Sequence, residues 1–172
     1  LTEQPNTDKG TAMLLGGFDG LHVGHRSLLA RAKASGLPVG IMTIAGCKDK
    51  GIFTFAERER IFKEGGADFV FELPFEEIKD LSPTEFLQKL TKEFSPKLFV
   101  CGEDFRFGHK GGGTATLLEE YCRRENLPCY VVPDQILEGI RVSSTYIRQQ
   151  LEDGDMATVV KFLGHPHVLS GT

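Results

Sequence analysis

Gly16-Gly17-Phe18-Asp19-Gly20-Leu21-His22-Val23-Gly24-His25 is the stretch on which the fold of this chain turns. A short apolar run from Thr11 to Phe18 leads into it, and apolar residues then recur at Leu21, Leu28, Leu29 and Ala32, near helical period. The spacing predicts strand, tight turn, helix. The glycines around Phe18-Asp19 let backbone approach a ligand closely, and the start of the helix presents unpaired N–H groups to an anion. A phosphate suits such a turn. His22 and His25, three residues apart, share one helical face, and Gly24 removes a side chain that would block approach between them. The same spacing also fits a metal-binding pair, or a helix start whose histidines lie on the surface.

Outward from this turn, apolar runs of strand length stand at Pro38 to Ile44, Asp68 to Leu73, Lys97 to Cys101 and Pro128 to Val132. Helical stretches lie between them at Ala56 to Glu64, Ser82 to Phe94 and Thr114 to Glu125. The second opens with Ser82 as N-cap, Pro83 at the first helical position and Glu85 at the third. This alternation predicts an α/β fold: a Rossmann-like, doubly wound parallel sheet of about five strands with helices on both faces. Ligands of such sheets sit beyond the carboxyl ends of the strands, where the strand order reverses.

With 172 residues, 40% hydrophobic and 26% charged, the chain is expected to form one domain over residues 11–172, after an N-terminal extension at 1–10. A net charge of -4 argues against nucleic acid as a partner, since phosphate backbones call for clustered Lys and Arg. The four cysteines (Cys47, Cys101, Cys122 and Cys129) form no C-x-x-C pair, so reduced thiols in the cytoplasm are expected. Apolar runs fall short of the roughly 18 residues that a membrane span needs, and residues 1–6 carry no secretory signature, so no membrane partner is expected.

Two further segments combine with the first. Ser143, Ser144 and Thr145 place hydroxyls at the start of a helix running to about Leu151, and Arg148, one turn along, offers a planar donor fork to phosphate oxygens. The stretch Cys101-Gly102-Glu103-Asp104-Phe105-Arg106-Phe107-Gly108 follows a strand, and the alternation of Phe105 and Phe107 suggests that one faces the core and the other does not.

The decisive stretch resembles the HxGH nucleotidyltransferase superfamily, and in detail its FAD synthetase branch, the FMN adenylyltransferase module of bacterial bifunctional riboflavin kinase/FAD synthetases. Arg141-Val142-Ser143-Ser144-Thr145-Tyr146-Ile147-Arg148 is similar to the superfamily's S-S-T-x-I-R segment, and Gly102 to Gly108 to the branch's G-E-D-F-x-F-G segment. Leu151 to His167 is like the run that closes the module, with His165 and His167 in place of Arg and Tyr; a zinc site there lacks further ligands, and an exposed tail is expected. The branch's F-x-P-x-P segment is absent, Thr43 to Gly51 standing in its place without prolines.

The resemblance implies transfer of an adenylyl group from ATP to FMN, giving FAD and pyrophosphate, with Mg²⁺ accompanying ATP. The implied catalytic residues are His22, His25 and Arg148. ATP is expected on Gly17, Phe18, Asp19, His22, His25, Arg141, Ser143, Ser144, Thr145 and Arg148, with Asp19 read first as a residue orienting the turn. The flavin is expected on Asp104, Phe105, Phe107 and Gly108. No metal-ligand set is assigned to the protein itself, and riboflavin kinase activity belongs to a separate C-terminal domain outside these residues. An adenylyl- or cytidylyltransferase with another phosphate acceptor, and a catalytically weak nucleotide- or flavin-binding protein, are the competing readings.

Overall fold

A computed structural model describes residues 10–46 and 52–167. Most of the expected extension at 1–10, Cys47 and the centre of the proline-free segment lie outside the described residues. The first strand, β1 (Thr11–Leu15), is buried at every position, as a strand covered on both faces requires. It leads through the glycine turn into α1 (Val23–Lys33), and then come β2 (Val39–Ala45), α2 (Phe55–Glu64) and β3 (Phe69–Pro74). A short α3 (Phe75–Ile78), α4 (Pro83–Phe94) and β4 (Pro96–Gly102) follow. The chain continues through the two-residue strands β5 (Arg106–Phe107) and β6 (Gly113–Thr114), α5 (Ala115–Arg124) and β7 (Cys129–Val132). The hairpin strands β8 (Ile136–Leu137) and β9 (Ile140–Arg141), then α6 (Ser144–Asp153) and α7 (Met156–Leu163), complete it.

Five strands pair in parallel in the order β3-β2-β1-β4-β7, so the direction of winding reverses between β1 and β4. Alternation along each strand sends side chains to two cores. Ala12, Leu14, Ile41 and Val100 pack with Leu28, Leu29 and Ala32 of α1 and Phe62 of α2 on one face. Met13, Leu15, Met42 and Phe99 pack with Phe86, Leu87 and Leu90 of α4 and Leu118, Tyr121 and Cys122 of α5 on the other. This is the expected doubly wound architecture. The expected cap of α4 is present in full: Ser82 Oγ accepts from the Glu85 N–H while the Glu85 carboxylate accepts from the Ser82 N–H. Thr54 and Glu57 close an equivalent box on α2.

Three features depart from the sequence reading. Phe105 and Phe107 do not split between core and surface; side chains two residues apart in extended chain face the same side, and both are buried with their rings stacked at 5.3 Å. The closing segment is not an exposed tail: the rings of His165 and His167 lie 5.7 and 5.0 Å from that of Phe53. A further helix, α7, forms after Gly154 (φ +78°) and Asp155, whose side chain caps the Thr158 N–H. It buries Val159, Phe162 and Leu163 with Ile147 of α6 and with Ile52 and Phe53, making a third core beside the sheet.

Candidate active site

The reversal of winding leaves a cleft of about 710 Å³ above the carboxyl ends of the strands, touched by Leu15 of β1, Ile44 of β2, Gly102 of β4 and Val132 of β7. Into it come the start of α1, with His22, Gly24 and His25, and the start of α6, with Ser144, Thr145 and, one turn along, Arg148. Segments more than a hundred residues apart in the chain thus meet around one space. Both helix starts bring the positive end of the helix dipole and unbonded first-turn N–H groups to it.

The turn before α1 is held in an unusual backbone conformation. Phe18 has φ +37°, a left-handed value that a bulky residue takes only when its surroundings enforce it. They do so by burying its ring completely against His25, at 4.7 Å, and Phe62, at 6.2 Å. Gly20 has φ +112°, and a Cβ there would come within 2.8 Å of the Phe53 ring, so glycine is needed on both counts. Gly17 is the exposed member of the turn and faces the cleft.

His22 does not lie on the helix as its spacing suggests; it is the N-cap, in extended backbone, and its Nδ1 accepts from the His25 N–H at 3.1 Å. Its ring nevertheless stacks on that of His25, with centroids 3.5 Å apart and planes 13° from parallel. Gly24 makes this possible, since a Cβ there would sit 2.9 Å from Cε1 of His22. Burial lowers the pKa of His22 to about 4, so the ring is neutral near pH 7. With Nδ1 engaged as an acceptor, the proton of the neutral ring is on Nε2. His25 is the complement. Its Nδ1 lies 2.7 Å from the Gly20 carbonyl, which can only accept, so Nδ1 carries the proton and neutral Nε2 is an acceptor. Burial, and then the adjacent His22, lower the His25 pKa well below its usual value.

Asp19 orients the turn. Its Oδ2 accepts from the Ile52 N–H at 2.7 Å and from Arg148 Nη1 at 3.3 Å, tying three distant segments together. Burial raises its pKa, against the pull of those backbone amides and of Arg148 and Arg58. Arg148 also lies 3.4 Å from Thr145 Oγ1, within its own helix. Ser143 is the N-cap of α6, accepting from the Tyr146 N–H. Arg141 enters the cleft between two carboxylates, Asp104 and Asp134, which raise its already high pKa.

The expected flavin residues divide between two spaces. Asp104 lines the cleft, whereas Phe107 and Gly108 line a second, largely apolar cavity of about 430 Å³; Phe105 belongs to both. Met42, Ile78 and Phe86 form its wall, and the two spaces adjoin at Ile44, Phe105 and Arg106. Sequence reasoning missed Arg58, Ile44 and this cavity. Arg58 carried no motif, and the cavity is assembled from four separate segments.

A family model described as FAD synthetase matches residues 4–146. The chain belongs to the FAD synthetase family. Among its relatives, FAD synthetase 1, chloroplastic, of Arabidopsis thaliana is 31% identical over 95% of this chain, and the bifunctional riboflavin kinase/FMN adenylyltransferase of Escherichia coli K12 is 31% identical over 95%. The chain spans only 54% and 57% of those two proteins. A solved structure described as a macrolide-efflux protein from Streptococcus pneumoniae superposes with a TM-score of 0.83 at 30% identity, over 94% of this chain and 67% of that one. Among the described residues no helix is long and apolar enough to cross a membrane. A putative nicotinate-nucleotide adenylyltransferase from Vibrio parahaemolyticus, 18% identical with a TM-score of 0.50, shares the fold. Family membership agrees with the cleft geometry: both sequence signatures of this FAD synthetase family member line one space.

Proposed function

We propose that the protein transfers the adenylyl group of ATP to FMN. An oxygen of the FMN phosphate attacks the α-phosphorus, the bond from that phosphorus to the bridging oxygen breaks, and pyrophosphate leaves. The observation that carries this reading is the junction of a cleft lined by two helix starts with an apolar cavity beyond Phe105 and Ile44. The first suits a polyphosphate, the second a planar ring system. In-line transfer between two anions needs positioning and stabilisation of spread negative charge rather than an activated nucleophile.

The residues divide the work as follows. Neutral His22 offers an Nε2–H donor to phosphate oxygens without having to be charged. His25 donates from Nε2 only once protonated, and negative charge growing on the α-phosphate favours that protonation. Gly17, Phe18 and Asp19 shape the turn that receives the phosphates. Ser144, Thr145 and Arg148 hold the departing pyrophosphate at the start of α6, with Ser143 setting the helix and Arg141 beside them. Asp104 and Phe105 meet the flavin where the two spaces adjoin, and the Phe107 ring and Gly108 backbone bound its ring pocket.

Among the described residues no group of three or more His, Cys, Asp or Glu could hold a metal ion. Mg²⁺ would come with ATP and would supply charge neutralisation to the phosphates held by His22, Ser144, Thr145 and Arg148. Residues 11–172 are read as one adenylyltransferase domain, with any riboflavin kinase chemistry outside them, and no nucleic acid or membrane is assigned as a partner.

Incubation with ATP, Mg²⁺ and FMN tests the reading, with FAD and pyrophosphate followed by chromatography. Equimolar formation of both is expected. Pyrophosphate release with nicotinamide mononucleotide or phosphopantetheine, and none with FMN, would replace the acceptor; tight flavin binding without turnover would make the protein a binder.

A further inference from the structure

Two of the arginines at the cleft are already matched by carboxylates, Arg148 by Asp19 and Arg141 by Asp104 and Asp134. Arg58 is not. Among the described residues no carboxylate forms an ion pair with it, although it is near enough to Asp19 to help hold down that group's pKa. Its Nη1 donates to Thr43 Oγ1 at 3.2 Å, its guanidinium lies over the Phe55 ring at 6.0 Å, and its Nε is buried without a partner among the described residues. A half-buried guanidinium with an enclosed, unsatisfied donor is costly unless something fills the place, and a planar fork fits a phosphate well.

Its position says which phosphate. Thr43, fully buried in β2, holds the guanidinium on the β2 side of the cleft, and the next residue, Ile44, is shared between the cleft and the apolar cavity. An acceptor with its rings in the cavity would enter the cleft where the two spaces adjoin, at Ile44, Phe105 and Arg106. With the triphosphate given to the starts of α1 and α6, as proposed above, the β2 side of the same cleft is left for the acceptor's phosphate.

We propose that Arg58 is the ligand of the acceptor's phosphomonoester and the source of the preference for a phosphorylated flavin over the same flavin without phosphate. This rests on the adenylyl-transfer reading above. Thr43 acts as a positioning residue, aiming the guanidinium.

Flavin binding measured by fluorescence quenching, with FMN and riboflavin as the two probes, separates the phosphate from the rings. The wild type is expected to bind FMN more tightly than riboflavin. In Arg58→Ala the FMN Kd rises about tenfold or more, while the riboflavin Kd and the KM for ATP stay within twofold. Arg58→Lys keeps part of the preference because it keeps the charge, and Thr43→Val loses part of it; these two also serve if Arg58→Ala does not fold. Arg60→Ala, exposed on the same helix and lining neither space, is expected to keep the full preference. An unchanged FMN-to-riboflavin ratio in Arg58→Ala, a raised KM for ATP instead, or collapse of the ratio in Arg60→Ala overturns the assignment while FAD synthesis by the wild type stands. A wild type that makes no FAD and binds neither flavin overturns the underlying reading, and this one with it.

Discussion

The two ends of the site are built by opposite means. At the phosphate end the geometry lies in backbone and short polar links: a left-handed Phe18, the stacked pair His22 and His25, and Asp19 holding Ile52 and Arg148. At the ring end it lies in packing: Phe105 stacks on Phe107 and Phe107 on Phe86, all within the core that supports the sheet. Phosphate oxygens are satisfied by donors at fixed points, whereas a ring system is held by shape. The first end therefore loses function when one atom is removed, and the second loses stability when volume is removed.

His25→Ala puts this contrast to its sharpest test. Removal of one donor to the reacting phosphate is expected to lower kcat about 10³-fold, near 4 kcal/mol of transition-state stabilisation, in protein that remains folded at the assay temperature despite the lost ring contacts to Phe18 and His22. Substantial FAD formation by this variant would end the assignment of the first turn. Phe107→Ala inverts the pattern: about 3 kcal/mol of stability is lost to a core cavity, seen as a lower denaturant midpoint, while the KM for ATP is retained. If ATP usage falls as steeply as stability, the two ends are not separable.

Acid should act on the phosphate end. His22 titrates near 4 in the folded chain and near 6.5 when unfolded, so between those values the unfolded chain binds a proton that the native one refuses, and stability rises with pH. From pH 7 down to pH 5 this group alone removes about 2 kcal/mol, and His25 adds to it in the same sense. Denaturant titrations at the two pH values check it. His22→Asn, which keeps an N-cap acceptor, should flatten the slope; an unaltered slope would place the acid sensitivity elsewhere. The smallest effect belongs to Ser143→Ala, which loses the cap of α6 for about 1 kcal/mol and lowers turnover only as far as Thr145 and Arg148 shift with the helix.

The sequence made the phosphate end legible because its devices are local. Glycines before a helix, His-x-Gly-His and Ser-Ser-Thr each declare a structure within a few residues, and the five strands showed as apolar runs for the same reason. His22 was misplaced onto the helix because a residue at the cap and one in the first turn share the same spacing from His25; only the backbone tells them apart. That Phe105 and Phe107 turn to one side is written in their spacing of two, which puts both on one face of extended chain; that this face is the buried one depends on α4 lying opposite. Arg58 was passed over because an arginine in an amphipathic helix reads as solvated, and its meaning comes from Thr43, fifteen residues earlier on another element. The helix α7 was readable after all: Gly154 and Asp155 carry the stop and start signals, followed by apolar residues at helical spacing.

The bond between Asp19 and Arg148 joins positions 129 residues apart in the chain. Contacts of such separation incur the largest loop-closure entropy, so this one forms after the local turns and helices of the sheet are in place. During synthesis the glycine turn waits for α6 to emerge before its carboxylate finds that arginine. In the finished protein the same bond marks where partial opening begins. Hydrogen exchange at the Ile52 amide, which Asp19 also holds, is accordingly a clock for the assembly and loosening of the site, distinct from exchange in the strands beneath it.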